Sequence, residues 1–152
     1  MIRRLWAASI WHPDAIPLDE WKYRNLKRVL LPIVDVFLIW CGIWAGIQGI
    51  PAIDVFFVDW VSDSFSYLFA AAAVLALIGV AFPRLWWVEA GANIVLSGLL
   101  ASYLGALMLL TLPSIGSRGF VSGLAGVALG VVIWRLSLLG GEWAERRSEG
   151  DE

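Results

Sequence analysis

Four stretches of this 152-residue chain are each long and apolar enough to cross a bilayer, which leaves few folds open to it. A transmembrane helix needs roughly 20 predominantly apolar residues. The stretches are VLLPIVDVFLIWCGIWAGIQ (Val29 to Gln48), SFSYLFAAAAVLALIGVAF (Ser64 to Phe82), WWVEAGANIVLSGLLASYLGALMLLT (Trp86 to Thr111) and GFVSGLAGVALGVVIWRLSLLG (Gly119 to Gly140). Two of the links between them, PRL and LPSIGSR, are too short to be more than turns. Backbone polar groups in lipid must be satisfied within the protein, so each span is expected to be a helix. The sequence therefore predicts an all-α fold: a four-helix integral membrane bundle over 29–140, an interfacial arm over 1–28 and a charged tail over 141–152. The chain is 60% hydrophobic and 16% charged, with mean hydropathy +0.77. A water-soluble chain is closer to half apolar and a quarter charged, so lipid is the expected solvent for much of this one.

Basic residues set the expected direction of the chain. Arg3, Arg4, Lys22, Arg24, Lys27, Arg28, Arg84, Arg135, Arg146 and Arg147 fall on one side of the four spans and only Arg118 on the other. By the positive-inside rule the crowded side is cytoplasmic, which predicts a bacterial inner-membrane protein with both termini inside. In the arm, Ile2, Trp6 and Ile10 share one helical face, and PLDEWKYRNLKR can open a second helix at Pro17. Two amphipathic helices on the membrane surface, or a solvated arm, both fit. MIRRLWAASIWHPDAIP lacks the continuous apolar stretch of a cleaved signal, so the arm is expected to be retained. Its basic residues, interleaved with Trp21 and Tyr23, suit anionic lipid and not nucleic acid. The mixed-charge tail reads as a solvated terminus.

Ionisable residues inside the spans are the first candidates for a site, because a charge there is costly and needs a partner or water. At 1.5 Å per residue, Asp35 lies about 10 Å in from the cytoplasmic edge, Glu89 about 5 Å and Arg135 about 7 Å. The three fall in one layer, with Asn93 one turn beyond Glu89. Arg135 is the expected partner of Asp35, with Glu89 sharing it; the alternative is that each side chain snorkels separately to the headgroups.

Glycines form the second set. Gly42 and Gly46 share a face of the first span with Asp35; Gly98 and Gly105 line a face of the third; Gly119, Gly123, Gly126 and Gly130 form the densest face, on the fourth. Small residues at such spacing let helices approach closely in lipid. Arg135 lies about 160° around its helix from Gly119. If Arg135 points inward, the glycine face of the fourth span points outward and invites another copy. If the glycines pack internally, Arg135 must snorkel.

Catalytic chemistry is not expected. The chain has no Gly-rich phosphate loop, no nucleophile elbow and no His and Glu pair at metal-ligand spacing. A single cysteine, Cys41, and a single histidine, His12, exclude a disulfide framework and a multi-residue Cys or His metal site. No cofactor or metal is expected.

The arm RRLWAASIWHPDAIPLDEWKYRNLKR, the junction AFPRLWWVE and the tail EWAERRSEGDE give the chain a layout that resembles small membrane proteins of actinobacterial phages, including holin-like proteins of lysis cassettes. That resemblance implies a homo-oligomer that opens the host's inner membrane at a set time and lets an endolysin reach the wall. Two other functions fit the residues. One is a scaffold or accessory subunit that binds another membrane protein through the glycine face of the fourth span. The other is a small proton or cation channel or transporter subunit with Asp35, Glu89 and Asn93 along the path, although the external half of each span offers no matching polar residue.

Overall fold

The computed structural model describes residues 9–10, 29–111 and 119–150. It is all-α, with no strand among the described residues. Among the described residues five α-helices follow in order: α1 (Leu31–Gln48), α2 (Pro51–Asp54), α3 (Asp59–Ala81), α4 (Trp86–Thr111) and α5 (Gly119–Gly150). All but the short α2 are long and apolar enough to cross a membrane, as a multi-pass membrane protein requires.

The helices begin and stop for local reasons. Pro32 stands in the first turn of α1, where its missing N–H costs nothing. Gly49 ends α1 with φ 76°, a conformation other residues rarely adopt. Pro51 then opens α2, which folds back so that Ala52 packs against Leu107 of α4 and Ala125 of α5. Extended backbone at Val58 starts α3 at Asp59, five residues before the stretch read from hydropathy alone. Phe82 ends it, and a single 3-10 turn, Pro83–Leu85, reverses the chain into α4. The fourth span is bounded by Gly119 and Gly140 as expected, but its helix does not stop there: α5 continues unbroken to Gly150, so most of the expected tail is helix. The sequence WAERR in that extension is rich in helix formers, and two adjacent glycines alone do not stop a helix.

Helix contacts fix an antiparallel order. A Cβ at Gly42 would lie 2.9 Å from Ala70 Cβ, and one at Gly46 would lie 3.7 Å from Ser66 Cβ, so α1 descends along α3 as α3 rises. Packing then follows chain order: α1 on α3, α3 on α4, α4 on α5. The core sits between them, around Leu38, Phe69, Ala73, Ala76, Leu96 and Val132. Outer faces are apolar too, with Phe37, Trp40, Ile47 and Val127 more than half exposed. Trp40 and Trp44 stack on this surface with ring centroids 5.9 Å apart. A belt of this kind is covered by lipid tails, as apolar as itself.

Most of the arm lies outside the described residues, including the two expected surface helices. Ser9 and Ile10 are the exception: both are buried, and the Ile10 N–H donates to the Ala81 carbonyl at 3.0 Å. At that point the arm is docked on the bundle and not solvated.

Candidate functional site

The end of the bundle at which α1 begins holds the charged layer. Asp35 comes from the second turn of α1, Glu89 from the first turn of α4 and Arg135 from the middle of α5. All three are buried, with 0%, 8% and 3% of their surface exposed, so none of them snorkels. Arg135 Nη1 donates to Asp35 Oδ1 at 2.6 Å, and its Nε donates to Glu89 Oε1 at 2.9 Å. Its Nη2 donates to the Ala76 carbonyl of α3 at 3.3 Å. One guanidinium thus touches each of the other three spans. Only arginine offers donors in three fixed directions from one planar head; a lysine ammonium would not reproduce them.

The approach of α4 to α3 is set at the same level. A Cβ on Gly79 would stand 2.5 Å from Glu89 Cβ and 2.8 Å and 2.9 Å from Glu89 Cα and N. No side chain fits there, so Gly79 is what lets Glu89 enter the layer. Asn93 is wholly buried beside it and donates from Nδ2 to the Glu89 carbonyl of its own helix at 2.7 Å. Ser97 repeats the pattern one turn on, donating to the Asn93 carbonyl at 2.8 Å. Asp35 Oδ2 and Asn93 Oδ1 are buried acceptors with no donor among the described residues.

The layer can hold helices in register, because a buried pair is costly to break and its geometry admits one arrangement. Among the described residues no three His, Cys, Asp or Glu side chains gather as metal ligands would. Towards the far end the layer is sealed by apolar side chains, among which Ala73, Ala76 and Leu96 expose no surface.

Glycines divide into two groups that spacing did not separate. Gly42 packs tightly on α3, and Gly46 makes ordinary contact there. Gly98, Gly105, Gly119, Gly123, Gly126 and Gly130 do not pack within the chain: a Cβ on any of them would meet nothing within 4 Å among the described residues. Because the core faces of α4 and α5 carry Asn93, Leu96, Val132 and Arg135, their glycine faces turn the opposite way. Gly79 was missed for a simple reason: it is a lone glycine with no periodic companion. The far half of the bundle is also less apolar inside than its sequence reads, since Ser62, Ser66 and Ser122 are buried there. A four-residue spacing of Ser62 and Ser66, which lets the Ser66 hydroxyl donate to the Ser62 carbonyl at 3.0 Å, is the only signal that pointed to them.

Compared with models of protein families, with curated proteins and with solved structures, the chain matches none of them.

Proposed function

We propose that the protein works without catalysis, as a self-assembling protein of the bacterial inner membrane that is holin-like in action, with both termini in the cytoplasm. The observation that carries this reading is the pair of outward small-residue faces: Gly91, Gly98 and Gly105 on α4, and Gly119, Gly123, Gly126 and Gly130 on α5, all open among the described residues. Close backbone approach is the main source of helix association in lipid, and none of the described residues covers these faces. Ten basic residues on one side of the spans against one on the other support the orientation.

A scaffold or accessory subunit would use the same faces for a different membrane protein. A proton or cation path fits less well, because Leu96, Ala73 and Ala76 close the bundle beyond the charged layer.

Inducible expression in a bacterium, with membrane potential and culture density followed together, separates these readings. Abrupt depolarisation and growth arrest are expected for the natural sequence. Gly126→Leu should abolish both and shift the detergent-solubilised protein towards monomer. A polarised, growing culture containing fully inserted protein would reject the holin-like reading and leave the scaffold.

A further inference from the structure

Although α1 and α5 meet through the Asp35 and Arg135 bridge, further along they part around an apolar cavity of about 580 Å³. Its walls include Phe37 and Ala45 of α1, Phe69 of α3, Tyr103 of α4, and Leu124 and Ala128 of α5. The cavity opens at the side, towards the surface that carries exposed Phe37, Cys41 and Val127.

We propose that this cavity binds one acyl chain of a phospholipid with an amine headgroup, ethanolamine for example, entering from the far leaflet. Volume selects the chain. A methylene fills about the space of a water molecule, ~30 Å³, so the cavity takes roughly 19 of them, one acyl chain and no second. A helix about 10 Å wide fills ~120 Å³ per residue, so the same space would hold only about five residues of a transmembrane helix. Length agrees: the lining runs from Val121 to Val131 along α5, about 15 Å, and from Ile33 to Gly49 along α1, about 24 Å at the helical rise, within a ~30 Å hydrocarbon core.

Charge selects the headgroup. Gly49 lines the far end of the cavity, and a Cβ on it would stand 3.1 Å from Asp54 Oδ2, which places this exposed carboxylate at the mouth. Asp63 is exposed at the same end of the bundle. A primary ammonium is attracted there and an anionic headgroup is repelled. Arg118, the one basic residue in the links at that end, lies outside the described residues.

Native mass spectrometry of the full chain in mild detergent, offered phosphatidylethanolamine or phosphatidylglycerol, tests the proposal. One phosphatidylethanolamine per chain should be retained, in roughly threefold preference, the size expected for an exposed charge contact. Asp54→Lys should reverse the preference, and Ala45→Trp should remove the bound lipid while helix content stays unchanged. Asp54 is exposed, so its variant carries the test even if Ala45→Trp fails to fold. Equal retention of the two lipids by the natural sequence and by Asp54→Lys would overturn the proposal and leave only annular lipid. A lipid-free dimer that is lost in Ala45→Trp would overturn it in favour of a second copy.

Discussion

Replacing Arg135 by methionine should destabilise the folded protein by about 3–5 kcal/mol, the usual cost of removing one partner from a buried charge pair. Arg135 is bonded to Asp35, to Glu89 and to the Ala76 carbonyl, so its loss breaks a tie to every other span at once. Asp35 suffers most: it is wholly buried and its Oδ2 already has no donor among the described residues. The measurement is reversible unfolding in mixed micelles, with helix content as the readout. Asp35→Asn alone should also destabilise, and in the double variant with Arg135→Gln part of the summed loss should return. A coupling of about 0.5–3 kcal/mol is typical of residues in one network. If the two losses simply add, the bridge contributes nothing to stability and its role as a tie between α1 and α5 is wrong.

Gly79→Leu should be nearly as damaging, and Gly126→Leu should leave the monomer's stability unchanged. At Gly79 the added atoms would overlap Glu89 Cβ, Cα and N, two of them backbone. Side chains can rotate away from an intruder, but here α3 and α4 must separate. Even Gly79→Ala should cost about 1–3 kcal/mol, the common range for overpacking a tight core. Separation would also draw Glu89 away from Arg135, so the loss should be less than additive with Arg135→Met. At Gly126 a Cβ meets nothing within 4 Å among the described residues. Equal sensitivity of the two positions would mean that α5 packs through its glycines.

The charged layer was legible in the sequence because it depends on two quantities that belong to a single helix. Depth follows from rise per residue, and facing follows from rotation per residue. Asp35, Glu89 and Arg135 could therefore be placed at one level before any helix was docked. Features that depend on two helices were not legible in this way. Gly79 and Gly126 look alike as letters, and only the position of Glu89 against α3 makes the first indispensable. The cavity between α1 and α5 depends on how far these helices splay, which no local pattern encodes. Nor did hydropathy locate the start of α3, because Asp59 and Asp63 look like loop residues until the extended backbone at Val58 is seen to precede a helix.

Packing in chain order has a consequence for biogenesis. Spans leave the ribosome from first to last, and α1, α3 and α4 can associate pairwise as they emerge. Asp35 is by then buried in lipid or protein, and its guanidinium partner is still exactly one hundred positions downstream in a chain being synthesised. The fourth span is therefore the piece that closes the charged layer. A nascent chain stopped before residue 135 holds Asp35 and Glu89 carboxyl groups that lipid disfavours and that lack their guanidinium. Arrival of Arg135 supplies that guanidinium, so the residue that ties the helices together also completes the charge balance of the layer.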